Sequence, residues 1–455
     1  MRASDPLAPP RSRARRAPAA RRDVPAAAWR AFHDAARRSP GYARALAERG
    51  RPAEGLTRWG DIPFLDRHAV FGADPAAWVP DGLAAAAELV CSSGHSGRPR
   101  ALGVVARDAE GGLVDRALAA LGASPASPTL LVNLLPMGIA LPTRLATLCA
   151  PSVHPEMALE VLERYTAAFD RVVLAAEPLF LAEVARRWAQ APPHGRTWVF
   201  TGGEWVPEPL RARVARLLGM PAAHRVIVSL GAAELGLHVL HETPPLADAR
   251  GALAARPGIA AELGLTVRGG AVAPALFTWD AERVHVETRR HDDGDTTLAV
   301  TTLGAPALPL IRYDLGDLGR VLDAAEVRAL GEATGAALPD DVALVHGRRA
   351  ALALPGGTLR PEAVAERLWG DEVLADAVTG RFRLRRAPDG AVELHLEGRG
   401  PQVPPTAALA GWLATRCGGP PCRVVAHGAG TYPHHAAGDW THKARYLDPA
   451  GEGRP

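Results

Sequence analysis

Lysine is almost absent. Among 52 Lys and Arg residues in a chain of 455, one is lysine, Lys443. Arginine carries the remaining positive charge, as strong codon bias produces wherever charge alone suffices. The two side chains differ where a compact ammonium with rotatable donors is required. The surviving lysine is therefore a candidate for chemistry. Cysteine is scarce as well: Cys91, Cys149, Cys417 and Cys422 cannot staple a chain this long, and their rarity points to a reducing cytoplasm. Cys417 and Cys422 have no second pair near them, so they read as ordinary thiols rather than half a metal site. No apolar run approaches the roughly 20 residues of a membrane span. The net charge is only +3, and Arg2, Arg11, Arg13, Arg15, Arg16, Arg21 and Arg22 all lie in the first 22 residues. A near-neutral body argues against nucleic-acid binding as the main function.

What is present is globular in kind, with 47% hydrophobic and 22% charged residues. At about 150 residues per domain the length predicts two or three domains. Residues 1–24 read as a disordered Arg/Pro-rich lead without the apolar core of a secretory signal. Residues 25–50 read as a helix with Trp29, Phe32 and Ala36 on one face. From Leu89 onward strands and helices alternate. The expected strands are 171–175, 197–200 and 225–230, the last broken at Gly231, and helices follow the first two. That alternation implies parallel strands covered by helices, an α/β fold, with ligands in the loops beyond the strands' carboxyl ends. Strands are expected at 283–288, 297–301 and 309–313. After Gly347 a helix at 361–369, a hairpin at 381–397 turning at Asp389-Gly390, a helix at 407–415 and a strand at 422–426 form a compact α+β unit.

Several segments could carry chemistry. Cys91-Ser-Ser-Gly-His-Ser-Gly-Arg-Pro99 follows an apolar run, and its small residues could let backbone N–H groups cradle a phosphate. It lacks the Gly-Lys-Ser/Thr ending of a P-loop, and a plain surface turn reads equally well. Glu234 lies just past a strand, where a carboxylate could hold Mg²⁺ or simply be solvated. Asp317, after the run Pro309–Tyr313 and a glycine, could accept two ribose hydroxyls or close a turn. His238, His241 and Glu242 have metal-ligand spacing, but a polar surface loop is the expected reading. Leu134–Ile139 reads as core strand and turn, with lining of an acid pocket as the other reading.

Taken in order, these segments resemble the adenylate-forming superfamily, in its phenylacetate–coenzyme A ligase branch. Ser92 to Pro99 resembles the phosphate loop, and Gly202-Gly203-Glu204 the adenine-side motif. Leu230-Gly-Ala-Ala-Glu234 is similar to the Tyr-Gly-x-Thr-Glu motif at its Gly and Glu. Leu308-Pro-Leu-Ile-Arg-Tyr-Asp-Leu-Gly-Asp317 is the nearest match. His346-Gly-Arg348 resembles the start of the hinge, Thr441-His-Lys443 the C-terminal lysine motif, and Asp61-Ile-Pro-Phe-Leu-Asp66 the branch's N-terminal region.

The resemblance implies a large N-terminal multi-sheet α/β/α domain over 25–347 that binds ATP and acid, and a small mobile C-terminal α+β lid over 348–455. It implies an AMP-forming ligase: a small carboxylic acid, aryl or otherwise, becomes an acyl-adenylate with release of pyrophosphate, then passes to coenzyme A or another thiol. By motif, Ser92, Ser93, Gly94, Ser96 and Gly97 hold phosphates. Gly202, Gly203 and Glu204 flank the adenine, Asp317 holds ribose, Arg348 reaches the nucleotide, and Glu234 holds Mg²⁺. Lys443 bridges carboxylate and α-phosphate. The chain departs from the pattern at Leu230, Ala233, His95, Arg98, Ala350, Ala351 and His442. The two alanines replace both hinge aspartates, which bears on the second half-reaction. Transfer to an amine or a carrier protein, and a non-catalytic nucleotide-binding paralogue, are the alternatives. The oligomeric state is open.

Overall fold

The computed structural model describes residues 24–448 except 73, 80–86, 92–100, 137, 189–194, 267–272, 305, 356, 403, 419–420, 437 and 442. Its centre is one eleven-stranded sheet. Five parallel strands, Thr147–Cys149, Thr129–Leu134, Arg171–Ala176, Thr197–Gly202 and Val226–Ala232, make one end. Gly236–His241 turns back antiparallel, and Ala275–Trp279, Ala343–Arg348, Tyr313–Val321, Thr296–Thr302 and Val284–Arg290 continue antiparallel to the far edge. The two blocks join edge to edge, so the large domain's expected several sheets include one continuous one.

The inner parallel strands are apolar because both faces are covered. Leu130, Val132, Val172, Leu174 and Val199 pack under the helices Pro155–Tyr165, Pro178–Trp188 and Glu208–Leu217. Leu131, Val173, Ala175 and Ile227 face the other way, against Leu118 of the helix Arg107–Ala120. A separate small C-terminal domain has a three-stranded sheet, Val378–Arg386, Val392–Gly398 and Cys422–His427, with helices Pro361–Trp369 and Ala407–Cys417. Its hairpin turns at Asp389-Gly390, where Gly390 takes φ +84. No described helix is long and apolar enough to cross a membrane.

Three expectations change. The helix over 25–50 is two helices, Ala26–Arg38 and Pro40–Glu48, because Pro40 cannot continue the first and Ser39 caps the second through the Tyr42 N–H. The strand near 225 runs through Gly231 to Ala232. The segment 309–312 is not strand. Arg312 takes φ +50 there and turns its guanidinium inward to the Trp59 and Ile62 carbonyls and to Glu287, so the strand starts at Tyr313.

Candidate active site

The carboxyl ends of the parallel strands supply the site. Thr197–Gly202 ends in Gly203-Glu204. Lys443 Nζ donates to the Gly203 carbonyl at 2.9 Å. Gly203 takes φ +85, and a Cβ there would lie 2.9 Å from Nζ, so glycine is needed for the lysine's approach. The Tyr446 hydroxyl donates to Glu204 Oε2 at 2.7 Å. On the neighbouring strand end, Glu177 Oε2 accepts the Leu179 and Phe180 N–H groups and caps the helix Pro178–Trp188. Burial, then the nearby Glu177, push the Glu204 carboxyl up to about 8, against the pull of Lys443. Burial lowers Lys443, which Glu204 and Glu177 offset and Arg348 and Arg67 reinforce. Lys443 is thus within electrostatic reach of four charged groups drawn from four separate segments.

Asp317 lies within the strand Tyr313–Val321, not in a turn after a strand. It is buried and paired in register with Arg348, whose Nε lies 3.1 Å from Asp317 Oδ1. The Arg348 N–H donates to Glu362 Oε1 at 2.7 Å, and burial pushes the Glu362 carboxyl up to about 7. Glu234 occupies the tight turn between Val226–Ala232 and Gly236–His241 and is buried. Arg67 Nη2 lies 2.9 Å from Glu234 Oε1 and 3.2 Å from Oε2, and the Tyr313 hydroxyl donates to Oε1 at 2.5 Å.

No family model matches the chain, and no curated protein matches it. Solved structures do. A 2-hydroxyisobutyryl-CoA ligase in the postadenylation state with R3-HIB-AMP superposes with a TM-score of 0.63 at 14% identity, covering 93% of this chain and 88% of that one. An open conformation of 2-hydroxyisobutyryl-CoA ligase, with 2-HIB-AMP and CoA, gives 0.56 at 14% identity, covering 93% and 90%. The fold is that of an adenylate-forming ligase.

Within this fold the surroundings of Glu234 fit Mg²⁺. Both Arg67 and Tyr313 occupy Glu234 Oε1, but Oε2 receives only the longer contact and keeps a lone pair. One carboxylate completed by water and phosphate oxygens is an ordinary Mg²⁺ shell. Arg67 stands beside it as a competing cation. Ser92, Ser93, Gly94, Ser96 and Gly97, with His95 and Arg98, lie outside the described residues. The strands on either side, Ala87–Cys91 and Leu102–Ala106, form a hairpin that abuts the Glu234 turn, since a Cβ on Gly103 would collide with the Ala233 carbonyl.

His238, His241 and Glu242 are not a polar surface loop. The histidines lie on the strand Gly236–His241, and Glu242 is buried between Arg211 and Arg250. Among the described residues no group of three His, Cys, Asp or Glu side chains could hold a metal ion. Cys417 and Cys422 form no disulfide, and burial, then the neighbouring Cys422, pushes the Cys417 thiol up to about 12. At the end of the strand Thr129–Leu134, Asn133 donates to the Ile139 carbonyl and accepts the Leu135 N–H. Sequence reasoning missed Arg67, Tyr313, Glu177, Glu362 and Tyr446. Glu177 carried the signal that marked Glu234, a carboxylate just past an apolar strand, and Tyr446 sits one helical turn's spacing from Lys443.

Proposed function

We propose that this chain joins a carboxylic acid to ATP, forming an acyl-adenylate and pyrophosphate, and then transfers the acyl group to the thiol of coenzyme A. The acid's oxygen attacks the α-phosphorus, and the bond to the pyrophosphate oxygen breaks. Lys443 would hold the incoming carboxylate and the α-phosphate together, an orienting and charge-stabilising role. Asp317 would accept ribose hydroxyls, with Arg348 beside it. Gly202, Gly203 and Glu204 would flank the adenine, and Ser92, Ser93, Gly94, Ser96 and Gly97 the phosphates. Glu234 would hold Mg²⁺, which supplies charge neutralisation to the triphosphate.

The observation that carries this reading is the seat of Lys443. The chain's one ammonium reaches the Gly203 carbonyl at the strand ends, within electrostatic range of Glu204, Glu177, Arg348 and Arg67. The experiment is acid-dependent pyrophosphate release over a panel of carboxylic acids, repeated in Lys443→Arg. A guanidinium is bulkier and aims its donors in a fixed fork. A displacement near 1 Å costs about a hundredfold in an oriented reaction. Adenylation should fall by about that factor, while calorimetric ATP binding changes little. Wild-type adenylation in the variant overturns the role of Lys443, and no pyrophosphate with any acid overturns the reading.

A second reading, transfer to an amine or carrier-protein acceptor, draws support from the tied hinge. Ala350 and Ala351 stand where the resemblance places aspartates. The segment before them is held by Arg349 to Asp293 and Asp295. Whether coenzyme A speeds turnover separates the two readings.

A further inference from the structure

Two histidines remain without a role. His238 takes φ +59, one of three non-glycine residues with positive φ among the described residues. Such backbone is strained and concentrates at functional positions. Its ring stacks on His241 with centroids 4.2 Å apart and planes 12° from parallel, and it meets Phe200 edge-on at 5.8 Å. Burial holds both imidazoles neutral, lowering His238 to about 3 and His241 to about 4. Arg283 lowers both further, and Asp280 partly restores His241. His241 Nδ1 is buried with no hydrogen-bond partner. Strain and an unpaired buried nitrogen at one place are two costs that the apolar core does not require.

The register says where the pair faces. Gly202, Ser229 and His241 form a row across three strands. The two-residue period puts Phe200 on the face of Gly202, and Ala175 pairs with Phe200. Ala175, Phe200 and Leu237 belong to the apolar cluster under the helix Arg107–Ala120. On that face Ala175 and Ser229 carry small side chains beside Phe200 and the imidazoles, and Gly202 lets its strand close up on Ser229, whose carbonyl would lie 2.0 Å from a Cβ at 202. Gly203, whose carbonyl holds Lys443, lies three residues beyond Phe200, about 10 Å along the strand. That matches an aryl acid whose carboxylate meets Lys443 and whose far end meets the histidines.

We infer that His238 and His241 select an aryl acid bearing a hydroxyl group at the end remote from its carboxylate. A neutral imidazole offers one donor and one acceptor, and a hydroxyl can answer either. A bare ring would leave the His241 nitrogen unpaired, and sites built around a substrate hydroxyl reject analogues that lack it. The inference rests on the adenylation reading for the position of the carboxylate.

The test uses the full chain and paired acids: benzoate with 4-hydroxybenzoate, phenylacetate with 4-hydroxyphenylacetate, cinnamate with 4-hydroxycinnamate. Pyrophosphate release and calorimetric acid binding are both measured. The hydroxylated member of the best pair should be favoured at least tenfold in kcat/KM. His241→Leu should abolish that preference, raising KM for the hydroxylated acid to that of the bare one. His241→Asn keeps a donor and an acceptor and should retain part of the preference, which separates a lost hydrogen bond from a damaged fold. Equal use of both acids, or a preference that survives His241→Leu, overturns the inference. If no acid releases pyrophosphate but the hydroxylated acid binds more tightly and His241→Leu removes that advantage, the adenylation reading fails and the role of the histidines stands. No preference in binding either overturns the inference as well.

Discussion

At the scale of single residues, opposed charges are held close together and their balance is measurable. Arg67 pairs with the Glu234 carboxylate, and the proposed Mg²⁺ would have to compete with it there. Arg67→Met should shift the Mg²⁺ requirement of adenylation to lower concentration, and Glu234→Gln should shift it upward. Two overlaid Mg²⁺ titrations would remove Glu234 from the metal's shell. Glu362 gives a pH signature. In the folded chain it keeps its proton to about 7, and in the unfolded chain to about its ordinary 4.5. The folded state therefore binds more protons in that window, and stability falls as pH rises through it, by on the order of 3 kcal/mol at most. Glu362→Gln mimics the protonated acid and still accepts the Arg348 N–H. It should flatten the decline between pH 5 and 8 in denaturant titrations, and a decline equal to wild type's would assign it elsewhere. Lys443 stood out in the sequence because scarcity marked it. The Arg67–Glu234 pair did not, since 167 residues separate its members and only the pairing of distant strands brings them together.

At the scale of elements, alternation was legible wherever burial on both faces left unbroken apolar runs, as in Arg171–Ala176 and Thr197–Gly202. It failed at 309–313. The same apolar letters there turn around Arg312, whose partners at Trp59 and Ile62 lie some 250 positions earlier. Asp317, expected after a strand, lies inside one because that strand begins only at Tyr313. The segment where the resemblance places a hinge is an element-scale device of this kind. Arg349 pairs with Asp293 and Asp295 in the turn before Thr296–Thr302, and Arg360 donates to the Arg348 and Arg349 carbonyls at 3.1 and 2.9 Å. Reorienting the small domain about this segment would break those ties. Partly exposed ion pairs contribute about 0–1 kcal/mol each. Arg349→Ala should then speed thioester formation from pre-formed acyl-adenylate by about two- to fivefold and leave adenylation unchanged. A slower second step would show that the ties guide the motion rather than resist it.

At the scale of the whole molecule, one apolar cluster runs through both domains. Leu179, Phe180 and Leu210 of the large domain share it with Leu368, Trp369 and Phe382 of the small one. Gly380 takes φ +91 at the contact, where a Cβ would lie 2.5 Å from Trp369 and 2.7 Å from Leu179. Arg399 pairs with Glu183, and Arg213 with Asp376, across the same seam. A shared core predicts shared unfolding. Calorimetry should give one transition for the full chain, and a separate low-temperature peak would mean that the seam opens before either core melts.

The single lysine also makes the molecule its own reporter. Apart from the chain terminus, an amine-directed reagent has one place to react, and that place lies at the seam between domains against the Gly203 carbonyl. If the proposed lid lifts from that carbonyl, mass should be added at position 443 faster than in a chain held closed. Nucleotide or acid that holds the domain down should slow the labelling in proportion to occupancy. The sequence thus carries its own probe for the proposed motion.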